Sequence, residues 1–86
     1  MNIWYVYILE LNDSSYYTGS TNDLLGRIKK HRAGKGSVYV RSRLPIKHIV
    51  YVERFENKKD ALKREIQIKK LNRQEKENLL KERIQK

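Results

Sequence analysis

The chain has 86 residues, a formal net charge of +10 and no cysteine. This length predicts one compact domain over residues 1–86, burying roughly 60–65% of the surface of its unfolded chain, and it leaves no room for two. The lack of cysteine excludes a disulfide framework, a thiolate zinc site and a thiol nucleophile, and the two histidines cannot hold a metal alone.

Residues 3–11, IWYVYILEL, are β-branched and aromatic, with both alternating faces apolar as far as Leu9. That is the pattern of a central strand covered on both sides. Asn12, Asp13, Ser14 and Ser15 are turn formers and residues 16–20 resume β-propensity, so the two strands form a hairpin. Thr21 or Asn22 can cap a helix over about 23–33, with Asp23 in its first turn and Gly34 as its stop. On this helix Leu24, Leu25 and Ile28 share one arc and Arg27 and His31 lie along its edge, while Gly26 costs roughly 1 kcal/mol against alanine. Residues 33–44 read as a loop rich in Gly, Ser and Arg, and Pro45 leads into a third strand over 46–54. Asn57 caps a second helix to about Leu71, and Asn72 with Glu75 forms a capping box for a third. The predicted fold is α+β, a three-stranded antiparallel sheet flanked by three helices in the order ββαβαα. No GxGxxG or Walker loop is present, which disfavours the nucleotide-binding folds.

Charge is distributed unevenly. Residues 1–26 hold no lysine or arginine, whereas from Arg27 to Val52 there are eight basic residues and no acid: Arg27, Lys29, Lys30, Arg32, Lys35, Arg41, Arg43 and Lys47. A one-signed block of this kind creates a positive field suited to a polyanion, nucleic acid being the commonest, although a solvated surface is the plainer use of such charge. No stretch approaches the roughly 18–20 apolar residues of a membrane span, and MNIWYVYIL lacks the basic start and small-residue cleavage site of a signal peptide. The expected compartment is the cytoplasm, and a monomer is the default assembly.

Five positions invite a chemical reading. Glu65 projects from an apolar arc of the second helix, with Ala61 and Ile68 to one side and Leu62 and Ile66 to the other. A carboxylate there needs a partner, either Lys69 one turn on or a hard divalent cation. Arg27 stands beside the core, where its guanidinium can face a phosphate or pair with a carboxylate. Tyr7 and Tyr17 are strand tyrosines, ordinary core residues if taken singly. His31 can share the ligand of Arg27 or close the helix end.

Together these residues resemble the GIY-YIG nuclease superfamily. The halves of its signature correspond to Tyr5-Val6-Tyr7 and Tyr17-Thr18-Gly19, followed by Arg27, His31 and Glu65 in the family's order. The segments WYVYIL, YYTGST, GKG and ALKRE-I-IKKL look like those of small standalone bacterial members whose function is uncharacterised, and the likeness spans nearly the whole chain. Tyr5 stands where the signature names glycine and Thr18 where it names isoleucine. The resemblance implies that Tyr7 acts as general base or orients the attacking water, that Tyr17 supports the phosphate, and that Gly19 lets the backbone pass close. It further implies that Arg27 steadies the scissile phosphate and that Glu65 binds a single Mg²⁺ or Mn²⁺ ion together with substrate. His31 matches a more variable position, and Asn72 and Asn78 are candidates for a late asparagine seen in some members. A metal ion and Arg27 would then favour the phenolate of Tyr7, and Lys29, Lys30, Arg32, Lys35, Arg41, Arg43 and Lys47 would bind the polyanion.

The function this implies is a metal-dependent endonuclease that hydrolyses phosphodiester bonds, DNA ahead of RNA, in repair or processing of structured DNA. The alternative is a non-catalytic nucleic-acid-binding module. Membrane-surface association through residues 57–71 is disfavoured because they include no aromatic anchor. A shared site also makes a demand on the hairpin. A four-residue loop pairing Leu11 with Tyr16 would put Tyr7 and Tyr17 on opposite faces, so a bulge or an odd-length loop is required.

Overall fold

The apolar run near the N-terminus becomes the middle of the sheet. In a computed structural model that describes residues 2–84, β1 (Trp4–Leu11) lies between β2 (Tyr16–Thr21) and β3 (Ile46–Phe55), antiparallel to both. Val6, Tyr7, Ile8 and Leu9 have no exposed surface, which is why the strand has no polar face. Its two faces feed two cores. Val6 and Ile8 pack with Tyr51, Ala61, Ile68 and Leu80 under α3 (Lys58–Lys69) and α4 (Arg73–Ile84). Tyr7, Leu9 and Leu11 pack with Ile28 and Val40 under α1 (Leu24–Arg32) and α2 (Val38–Arg41).

This is the expected α+β class, with one addition. The loop over 33–44 contains the single turn α2, whose Ser37 side chain caps Val40 N–H and which buries Val40. Four residues are too few to show a helical period. Asp23, expected in the first turn of α1, is instead its N-cap, taking a hydrogen bond from Gly26 N–H at 3.1 Å. A Cβ on Gly26 would lie 2.2 Å from Asp23 Oδ2, so this glycine makes room for the cap. Asn57 caps α3 through Asp60 N–H at 2.8 Å. Asn72 and Glu75 form the reciprocal box, with each backbone N–H 2.9 Å from the other's side-chain oxygen. Leu25 departs from its expected arc: it is 80% exposed, because only the Leu24 and Ile28 flank of α1 meets the sheet. A further feature without a sequence signal is the bulge where Ile8 pairs with Tyr51 and Leu9 with Ile49. It turns the successive residues Val50 and Tyr51 toward the same core.

The first hairpin has the odd loop that a shared tyrosine site requires. Leu11 N–H donates to Ser15 O at 2.9 Å across a loop of Asn12, Asp13 and Ser14. Ser14 sits at φ 68°, and Asp13 Oδ1 accepts from Ser15 N–H at 3.0 Å and from its hydroxyl at 2.6 Å. The resulting register sets Tyr7 opposite Gly19 and Leu9 opposite Tyr17, so Tyr7 and Tyr17 share a face. Among the described residues no helix is long and apolar enough to cross a membrane.

The left-handed conformation of Ser14 is one that a side chain disfavours by about 1–2 kcal/mol. Ser14→Gly should therefore raise unfolding stability by about 0.5–1 kcal/mol in urea titrations, after the extra chain entropy of glycine. A loss would instead show that the bond from Lys47 Nζ to the Ser14 hydroxyl, 2.8 Å long, is worth more than the backbone strain.

Candidate active site

Strand alternation and helical spacing bring four of the singled-out residues together on the α1 side of the sheet. Tyr7 leans across Gly19, where an added Cβ would fall 2.5 Å from the Tyr7 hydroxyl and 3.2 Å from the Tyr17 ring. Arg27 and His31, four residues apart, share one side of α1. Tyr7 Oη lies 2.9 Å from His31 Nε2. The Tyr17 ring closes the group, its centroid 6.4 Å from that of Tyr7 and 5.3 Å, edge to face, from that of His31. Tyr7 and His31 have no exposed surface, whereas Tyr17 and Arg27 are half-buried.

Glu65 approaches from the other side of the sheet. Ser20 pairs with Val6 and so faces α3, where its hydroxyl donates to Glu65 Oε1 at 2.5 Å. The second carboxylate oxygen is paired with Lys69 Nζ at 2.8 Å, so the local ion pair among the sequence alternatives is formed. The expected setting needs a correction. Ala61 and Ile68 are buried, but Leu62 and Ile66 are exposed, so Glu65 stands at the boundary of the buried stripe rather than in its middle. Only one flank of α3 meets the sheet. Because β2 is an edge strand, a side chain at this boundary can act around the edge, and the Glu65 charge does bear on the Tyr7 hydroxyl.

Burial dominates the electrostatics. It is the largest cause holding the Tyr7 hydroxyl well above its ordinary range, reinforced by Tyr17 and, less strongly, by Glu65. The Arg27 guanidinium opposes the shift without overcoming it, so Arg27 alone leaves Tyr7 a neutral phenol. Burial, then Arg27, pushes His31 below the usual imidazole range and keeps it neutral as well. A neutral phenol can donate to Nε2. His31 Nδ1, on the other side of the ring, is buried without a partner, and a Cβ on Gly36 would lie 2.5 Å from it.

A metal would find one carboxylate in this cluster. Among the described residues no group of three or more His, Cys, Asp or Glu converges to hold an ion. The Glu65 carboxylate with the Ser20 hydroxyl offers hard oxygen donors, which suits a Mg²⁺-like ion that keeps water and phosphate oxygens as its other ligands.

The basic block is carried by α1, α2, β3 and the loops between them. Arg27 and Lys30 line a cavity with Thr21, Asn22, Asp23 and Gly26, while Lys29 and Arg32 line an apolar groove with Leu24, Leu25, Ile28 and Ile49. Arg43 is tied to Asp13 at 3.2 Å, and Lys47 to Ser14. Lys35 and Arg41 are exposed. A helix and a sheet edge disperse side chains that are adjacent in the sequence. Asn72 is occupied as a cap and Asn78 accepts from Gln74, so neither joins the cluster. Sequence reasoning passed over Ser20 and Tyr39. Only the place of Ser20 just after Gly19 hinted at its role, and nothing pointed to Tyr39.

The chain is similar to known proteins over nearly its whole length. Residues 3–78 match the family model described as the GIY-YIG catalytic domain. UPF0213 proteins of Staphylococcus aureus strains Mu3 and N315 are each 46% identical over 83 residues, covering 96% of this chain and all of theirs. The solution structure of a UPF0213 protein from Bacillus halodurans superposes with a TM-score of 0.61 at 46% identity, covering 92% of this chain and 83% of that one.

Two measurements probe the cluster. Gly19→Ala should push Tyr7 off His31 and cost about 1–3 kcal/mol of stability in denaturant titrations; an unchanged midpoint would mean that the strand yields freely. His31 has a folded-state pKa below its unfolded value of about 6.5. The stability this contributes is present above that pH and is lost as pH falls through the folded-state value. Urea midpoints between pH 5 and 8 should therefore drop on acidification in the wild type and drop less in His31→Phe.

Proposed function

We infer the function from one premise, that the chain belongs to the GIY-YIG family: it is an endonuclease that hydrolyses phosphodiester bonds of DNA in the cytoplasm with one Mg²⁺ or Mn²⁺ ion. The observation that carries this reading is the grouping of Tyr17, His31 and Arg27 about the Tyr7 hydroxyl, with the Glu65 charge acting on that hydroxyl from beyond the strand edge. Of the partly exposed members, Tyr17 and Arg27 take the phosphodiester, and Arg27 offsets the charge that builds on it in the in-line transition state. Tyr7 and His31 form the buried back of the site. As the Tyr17 ring shifts to admit water, Tyr7 takes a proton from that water and passes its own to His31 Nε2. The anionic phosphate beside Arg27 favours the imidazolium that results. Glu65 and the Ser20 hydroxyl would hold the ion, which supplies Lewis acidity at the phosphate and the leaving oxygen.

Purified protein should be incubated with labelled linear, nicked and branched DNA and with RNA, in Mg²⁺ or Mn²⁺. Glu65→Gln and Arg27→Ala should each lower cleavage by about a hundredfold or more while binding persists. Salt-sensitive binding with no cleavage by the wild type would instead establish the non-catalytic binding module.

A further inference from the structure

The outer edge of β2 opens onto a groove that extends away from the reactive cluster. β1 occupies only the inner edge of this strand. The bond from Leu11 N–H to Ser15 O fixes the alternation, so Tyr17 and Gly19 bond inward while the backbone of Tyr16 and Thr18 faces out. A groove of about 270 Å³ runs along this edge, lined by Tyr16, Tyr17, Thr18, Tyr39, Lys69 and Lys76. Its walls come from separate elements. Tyr39 is carried by α2, Lys69 ends α3 and Lys76 lies on α4. The Tyr17 and Tyr39 rings are nearly parallel, 6.1 Å apart at 29°, and both border the groove. Tyr39 keeps 39% exposure, and its ring is held in place by the Arg43 guanidinium stacked 3.8 Å away, itself tied to Asp13. Thr18, 4% exposed on the groove floor, has a hydroxyl with no hydrogen-bond partner. No carboxylate is among the lining residues.

Aromatic rings, lysines and free backbone groups lining one narrow groove are the parts of a single-strand seat, in which bases lie on rings and phosphates meet cations. We propose that this groove binds an unpaired nucleotide of the strand to be cleaved, with its base against Tyr17 and Tyr39 and its phosphate at Lys69 and Lys76. The proposal rests on the nuclease reading and names the substrate class for it, a strand with an unpaired segment beside the scissile bond. Two of its lining residues place the groove next to the reactive cluster: Tyr17 belongs to both, and Lys69 is the partner of Glu65. A paired duplex cannot use the groove, because its bases already cover one another's faces; a base must be out of the stack to lie on a tyrosine.

Fluorescence anisotropy in EDTA tests this apart from hydrolysis, with a fluorescein-labelled oligothymidylate and a blunt two-stranded duplex carrying the same number of phosphates as probes. Tyr39→Ala should weaken oligothymidylate binding about tenfold, while Tyr39→Phe stays near wild type and the duplex is held within about twofold by all variants. Lys76→Ala should weaken the single strand and lower its salt slope by about 0.7. This second variant tests the groove independently should Tyr39→Ala fail to fold by circular dichroism. Equal losses on both probes, or no loss on the single strand, would overturn the groove. The two readings fail separately: a wild type that binds as described but cuts nothing defeats the nuclease alone, and a cutting wild type whose single-strand binding ignores Tyr39 and Lys76 defeats the groove alone.

Discussion

Three residues, Asn12, Asp13 and Ser14, separate the paired positions Leu11 and Ser15, and that odd number decides which side of the sheet every later side chain of β2 occupies. With one residue more, Tyr17 would face α3 and Ser20 would face α1, and neither the tyrosine and histidine packing nor the Ser20 bond to Glu65 could form. The loop holds this parity at the cost of a left-handed serine and offsets it with the two Asp13 bonds to Ser15. The edge position of β2 then does the rest. An inner strand would wall off one face from the other, whereas here Glu65 on one side influences Tyr7 on the other.

The reactive groups are arranged by depth. Tyr7 and His31 are sealed and electrically neutral, joined by one hydrogen bond, while Tyr17, Arg27 and Glu65 form a rim that solvent reaches. Desolvation governs the inner pair, and a polyanion bound at the rim would reach the interior through Arg27, Tyr17 and Glu65, all of which act on the Tyr7 hydroxyl. The glycines serve this layering. Gly19 gives way to the Tyr7 ring, and Gly36 to the unpartnered nitrogen of His31.

Much of this was legible in the sequence because it is written in local rules. The doubly apolar WYVYIL specified a central strand, and Asn57, Asn72 with Glu75, and Gly34 marked helix ends that the structure contains. The resemblance to the GIY-YIG superfamily was carried by motifs several elements apart, and the family match over residues 3–78 bears it out. What was not legible depends on which surface meets which. The arc around Glu65 looked apolar on both sides, yet Leu62 and Ile66 remain outside, since periodicity records a stripe without saying how much of it is covered. The short α2 that carries Tyr39 falls below the length at which a period can be read.

The ion pair between Glu65 and Lys69 has a meaning beyond its modest energy. In the free protein each member neutralises the other, with the carboxylate further engaged by Ser20. On the proposed reading a divalent cation would compete for the carboxylate and a phosphate for the ammonium. Whichever arrived first would break the pair and free the other half, so the two ligands would bind cooperatively. The pair would then act as a latch that disfavours a half-loaded site.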